Sequence, residues 1–141
     1  MKSLFIVLIT FLMVSCGSNE PKPINLNTDM CDFCKMTIAN GKFGAELITQ
    51  KGRCYKFDDV SCMVQFAKSS EVPVKAFFVN DYLKENELVA AEKCYYLKGG
   101  TINSPMHGNL AAFFTPKDQE EFQKKLNADP MTWKQIYDSY K

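Results

Sequence analysis

The stretch Phe43 to Ala67, "FGAELITQKGRCYKFDDVSCMVQFA", changes its hydrophobic rhythm once, from strand-like to helical. "FGAELIT" and "RCYKF" flank "QKG" as two short apolar-rich segments. This is the pattern of a β-hairpin, with Gly52 supplying the turn's positive φ. After Phe57 the spacing lengthens. Val60, Met63, Val64 and Ala67 fall at i, i+3, i+4 and i+7, and Asp58 or Asp59 is placed to cap the first turn of a helix. Strand, strand, helix is therefore the first unit expected.

Towards the C-terminus the plan repeats. "VKAFFVND" after Pro73 reads as a buried strand ending in turn residues, and "CYYL", Cys94 to Leu97, as another. A glycine turn, the loop "TINSPMHGN" and a short strand "LAAFF" lead into "TPKDQEEFQKKL". Thr115 is placed to cap that helix and Pro116 suits its first position. Lys124 and Lys125 sit where the helix dipole favours cations. Asp129-Pro130 is expected to open a last short helix in the same way, with Trp133 and Tyr137 four apart on one face. The expected fold is α+β: a domain spanning 29–141, made of two small related strand-strand-helix units, about 29–72 and 73–141, packed together.

Towards the N-terminus, Met1 to Ser15 carries one charge, Lys2, and an apolar run from Leu4 to Val14 broken only by Thr10. It reads as a secretory signal peptide, its run shorter than the roughly 20 residues of a transmembrane helix. "LMVSC" resembles a bacterial lipobox, so Cys16 is expected to be the lipidated N-terminus of a soluble domain tethered to a membrane. Gly17 to Thr28 is polar with two prolines and is expected to be a flexible spacer. No acidic residue directly follows Cys16, which points to the outer membrane, facing the periplasm. The chain has 17 Lys and Arg against 16 Asp and Glu. Losing Lys2 leaves it formally neutral. Phosphate binding needs a basic surface, so nucleic acid is not an expected partner.

With Cys16 given to lipid, five of the six cysteines remain. An odd number leaves at least one thiol unpaired within the chain. Cys31-x-x-Cys34-x-Met36, in "DMCDFCKMTI", admits three readings. A redox dithiol sits between a strand and a helix, yet nothing before Cys31 reads as a strand and the segment after Cys34 is too short for a helix. A structural zinc site takes four nitrogen or sulfur ligands, typically as two such pairs, and has no use for Met36. Copper(I) is soft and accepts both thiolate and thioether. Cys34 and Met36 offer both, Cys31 a third sulfur, and Met106 with His107, the only histidine, a contribution from the second unit. Cys62 lies on the apolar helix face and reads first as core packing. Cys54 and Cys94, in strands, either pack or pair with Cys62.

Taken in order, the lipobox, "DMCDFCKMTI" ahead of "FGAELIT", "GRCYKFDDVSCM" and "SPMHGNLAAFFTPKDQEEF" resemble the NosL family over Cys16 to Phe122. The resemblance implies two related small α+β units, similar to a fold seen in organomercurial lyase. It also implies a lipid-anchored protein without catalysis of its own, carrying copper(I) during assembly of the copper centres of nitrous oxide reductase. Cys34 and Met36 match the family's sulfur ligands, and Cys31 a position where the family does not always have cysteine. Lys35 stands where the family commonly has glycine, and His107 where a small residue is frequent. Two other readings stay open from the sequence: an envelope thiol-disulfide reductant using Cys31 and Cys34, and a structural lipoprotein.

Overall fold

Gly52, at φ +81°, closes the expected hairpin between β1 (Ala45–Thr49) and β2 (Cys54–Phe57). The computed structural model describes residues 19–141, so the expected signal peptide and Cys16 lie outside the described residues. Asp59 caps α1 (Val60–Ser69), whose Val60, Cys62, Met63 and Val64 are buried, with Ala67 packed beside them. β3 (Val74–Asp81) returns antiparallel beside β1, and β4 (Lys84–Ala90) pairs with β3, giving the sheet order β2-β1-β3-β4.

The second unit repeats this order. β5 (Tyr95–Lys98) and β6 (Leu110–Phe113) form a hairpin, α2 (Pro116–Leu126) follows with Thr115 as its cap, and β7 (Asp129–Met131) returns beside β5. Its sheet runs β6-β5-β7. A single 3-10 turn precedes each hairpin, Gly41–Phe43 before β1 and Ala91–Lys93 before β5. The fold is thus α+β with a repeated ββαβ plan, and α3 (Trp133–Ser139) ends it. Because β3 and β4 belong to the first sheet, that sheet takes in residues on both sides of the 72/73 division.

Three features depart from expectation. The last helix begins at Trp133, not at Asp129-Pro130, because those residues form an edge strand, where a proline lacking its N–H is tolerated. Thr132 caps the helix in a reciprocal box with Gln135. The edge strand β4 was not expected: Lys84 to Glu87 are exposed, and such polar, charged edges lack the apolar alternation of a core strand. The spacer is also shorter than Gly17 to Thr28. The Lys22 N–H donates to Glu46 Oε1 at 2.9 Å, and Ile24 exchanges backbone bonds with the Asn86 amide at 3.2 and 2.9 Å. Burying Ile24 in the core holds this segment down.

The two units share their interior. The main core gathers α1 and the first sheet with Tyr96, Ala112 and Ile136 of the second unit, while Leu97, Ala111 and Phe113 join Phe43 in a smaller one. Alternate residues of β5 and β6 therefore face the two cores, as the two-residue period of a strand requires. The Tyr82 N–H donates to the Ala112 carbonyl at 2.8 Å, and the ring of Phe77 packs on Trp133 at 5.2 Å. α1 thus lies in a core to which both units contribute.

Candidate metal centre

The segment before the first sheet folds into a tight turn. Met30 and Thr37 pair as an isolated antiparallel bridge, the Cys31 N–H donates to the Met36 carbonyl at 2.8 Å, and the Lys35 N–H to the Cys31 carbonyl at 3.0 Å. Lys35 makes the reversal at φ +64°, a left-handed conformation usual for glycine. The turn docks on β2: Asp32 N–H donates to the Lys56 carbonyl and Lys56 N–H to Asp32 Oδ2, each at 2.8 Å. Lys56 Nζ reaches Asp29 Oδ2 at 2.6 Å. Burial pushes the Asp29 carboxyl up, but its bonds to Lys56 and Asn25 hold it below its ordinary value.

This docking sets two cysteines against the start of α1. The Sγ atoms of Cys31, Cys34 and Cys62 and a carboxylate oxygen of Asp58 all lie within 4.8 Å of one another. Asp58 stands just ahead of the Asp59 cap and Cys62 in the first turn of α1, and both are buried. Cys34 Sγ stands 3.5 Å from both Asp58 oxygens and donates to them. Cys31, Cys62 and Asp58 are buried, whereas Cys34 is half-buried and so open to approach.

The thiols are electrostatically unlike. Cys31 accepts from the Cys62 thiol and, against the opposing effect of burial, from the N–H groups of Cys34, Asp58 and Phe33, which together pull it down to about 6. Cys62 is pushed up, first by donating to Cys31, then by burial and nearby negative charge. Burial raises Cys34 to about 11, with the charges of Cys31 and Asp58 adding to it. Of the three, Cys31 is the thiol that gives up its proton most readily. Three sulfurs this close suit a soft ion, and thiolate–metal bonds of roughly 2.3 Å need only modest closure.

Of the residues singled out from sequence, Cys31 and Cys34 meet here. Met36, 60% exposed, stands on the same turn. Met106, 41% exposed, and the exposed His107 stand on the β5–β6 loop, where the Met106 N–H donates to Asp59 Oδ2 at 3.1 Å. Asp58 and Cys62 were missed as a pair. Their signal was closeness in "DDVSC": with Asp59 as the cap, Asp58 ends the chain's approach to the helix whose first turn carries Cys62. Cys62 is both core and cluster. All five described cysteines are free, so neither Cys54 nor Cys94 pairs with Cys62. Cys94 is buried and donates to the Ala90 carbonyl at 3.5 Å.

No curated protein matches the chain. Its fold is that of a solved structure, the crystal structure of the copper chaperone NosL from Shewanella denitrificans. The two superpose with a TM-score of 0.72 at 21% identity, over 82% of this chain and 93% of that one. Residues 23–141 match the NosL family along their whole length, and the chain belongs to that family.

Proposed function

We propose that this chain binds copper(I) as cargo and passes it to a copper enzyme, acting as a metallochaperone and not as a catalyst. The observation that carries this reading is the convergence of three thiols and a carboxylate within 4.8 Å, below a turn that presents the Met36 thioether to solvent. Thiolate and thioether are the donors a soft monovalent ion prefers. Buried Cys31 and Cys62 retain the ion, while half-buried Cys34 and exposed Met36 stand where an acceptor's ligand can reach it. Transfer is then stepwise ligand exchange: an acceptor sulfur or imidazole bonds as Cys34 or Met36 leaves, with no change in oxidation state. Met106 and His107 approach from the second unit. The shared fold with a protein described as a copper chaperone supports the same reading.

The receiver we propose is nitrous oxide reductase, the copper enzyme that the resemblance to the NosL family implies. The working site is the periplasmic face of the outer membrane, with Cys16 as the lipid anchor. Labelling with radioactive palmitate that persists in Cys16→Ala would overturn the anchor.

Competition with a chromogenic copper(I) chelator, anaerobic and reducing, tests the centre on wild type, Cys34→Ala and Met36→Leu. The leucine keeps volume and apolarity but removes the thioether. Both variants are expected to bind more weakly. Wild-type competition by both would end the copper reading and return the CxxC pair to a thiol-disulfide role, and binding indifferent to Met36 alone would remove the thioether from the ligand set while leaving the cysteine centre in place. Asp58 favours one second reading. Three thiolates and a carboxylate also make a tetrahedral zinc set, and zinc(II) that displaces copper(I) at equal concentration would select it.

A further inference from the structure

Asp59 does more than cap a helix. Fully buried, it receives the Ser61 N–H and Ser61 hydroxyl on Oδ1, each at 2.8 Å, and the Ser104 hydroxyl at 2.5 Å and Met106 N–H at 3.1 Å on Oδ2. One carboxylate thus joins the start of α1 to the β5–β6 loop. That loop winds tightly about the contact. Ser104 Oγ accepts from the Asn109 N–H at 2.8 Å, and the His107 N–H donates to the Ser104 carbonyl at 3.0 Å. His107 and Asn109 hold left-handed φ values of +57° and +50°, conformations non-glycine residues keep only when their surroundings impose them. A Cβ on Gly108 would lie 2.6 Å from both Asp59 Oδ1 and Ser61 Cβ, so the backbone itself is pressed onto the cap. The cap of α2 shows that capping needs none of this, since Thr115 performs it exposed, from within its own turn.

We propose that Asp59 is a positioning residue that fixes Met106 beside the metal centre, so that the second unit's contribution to copper binding passes through this one carboxylate. The inference rests on the reading of Met106 as a ligand. Asp59 touches no metal itself. It holds the Met106 backbone one residue along the chain from Asp58, and thereby sets the reach of the thioether.

Asp59→Asn separates the two roles. Asparagine remains a good cap acceptor, but its amide NH2 replaces the oxygen that accepts from Ser104 and Met106. Copper(I) affinity is expected to fall about tenfold, the lower end of what losing an outer partner does to a metal site. In a Met106→Leu background the same change is expected to do nothing further, because coupled residues are not additive. X-ray absorption of the copper-loaded protein is expected to lose the same sulfur neighbour in both single variants. Ser104→Ala leaves the cap intact and is expected to weaken binding in the same direction, which keeps the test open if Asp59→Asn folds poorly. Unchanged affinity in Asp59→Asn and Ser104→Ala beside a weakened Met106→Leu would sink the positioning role alone, as would losses that add in the double variant. A Met106→Leu protein with wild-type affinity would remove the ligand and the inference together, leaving the cysteine centre in place.

Discussion

The two ββαβ units share a strand order and differ in what stands at the start of their helices. α1 buries Val60, Ser61, Cys62, Met63 and Val64, whereas α2 buries no residue. The cap of α1, Asp59, is fully buried and bonded to both units; that of α2, Thr115, is exposed. The first hairpin closes with a tight turn at Gly52, while the second opens into residues 99 to 109, which descend on α1. A repeated frame thus supplies two helix N-termini, and only the first is surrounded by sulfur and covered by its partner's loop. Burial is therefore what distinguishes the candidate centre from the equivalent position in the other unit.

The sharpest way to break that comparison is to remove one buried thiol from each unit. Cys62→Ala takes a sulfur from the cluster and is expected to lower copper(I) affinity by about 100-fold or more, at or beyond what outer partners usually contribute. Cys94→Ala removes a thiol that is also buried but packs in the core outside the cluster, with a hydrogen bond to a backbone carbonyl. It is expected to leave affinity unchanged and to cost ~1 kcal/mol of stability, an ordinary core loss. Equal affinities in chelator competition would mean that the cluster is core packing and nothing more.

Next come the caps. Asp59→Ala strands four donors, three of them in buried contacts, and is expected to destabilise the apo domain by ~2 kcal/mol or more. Thr115→Ala, at an exposed cap, is expected to lose only ~1 kcal/mol. Urea unfolding of both measures the gap, and equal midpoints would show that the bonds between units add nothing beyond local capping.

The same contrast explains what the sequence could disclose. The hairpin at Gly52, the helix after Asp59, the strand "VKAFFVND" and the helix after Thr115 were all legible because each signal is local: a turn residue, a cap, one apolar period. What failed was non-local. Lys84 to Glu87 carried no strand signal because an edge strand declares itself only through its neighbour, and Pro130 suits a helix start and an edge strand equally until β5 is seen beside it. Thr132-x-x-Gln135 did carry the capping-box signal that places the last helix correctly. At the site, Cys31 and Cys34 were marked by adjacency in the chain. Asp58 and Cys62 were hidden because their roles depend on which aspartate caps α1, and because Cys62 faces core and cluster at once.

Acidity offers a finer test of how unlike the units are. The folded pKa of Cys31 lies near 6, below its ordinary value of 9.0, so its contribution to stability is full above 9 and is lost as pH falls through 6. Cys34 runs the other way. Its folded value, near 11, gives a contribution present below 9 and lost as pH rises towards 11. Between pH 6 and 9 a metal ion therefore finds Cys31 already deprotonated and must displace protons from Cys34 and Cys62. The logarithm of copper(I) affinity is expected to rise by about 2 per pH unit there, steepening to about 3 below pH 6. Cys94, pushed up to about 12 by burial, lies outside the cluster and is expected to add nothing to that slope. Competition titrations across the range measure it, and a flat profile would exclude a thiolate centre.

The smallest expected effect concerns the two units' left-handed turns. After β5 the chain meets positive φ with Gly99 and Gly100, at +84° and +58°, but the turn that carries Cys34 and Met36 meets it with Lys35 at +64°. A side chain there strains the backbone by ~1 kcal/mol. Lys35 recovers part of this because its Nζ donates to the Asp32 carbonyl at 2.6 Å, an exposed bond that fastens the turn onto itself. Lys35→Gly removes the strain and the bond together, while giving the unfolded chain more freedom. The net expectation is a gain of ~0.5 kcal/mol in urea unfolding with copper(I) affinity unchanged, since every bond that docks the turn on β2 is made by other residues. If affinity dropped while stability rose, the strain at Lys35 would be part of how the turn holds Cys34 and Met36 in place, and the difference between a glycine turn and a lysine turn would be functional as well as conformational.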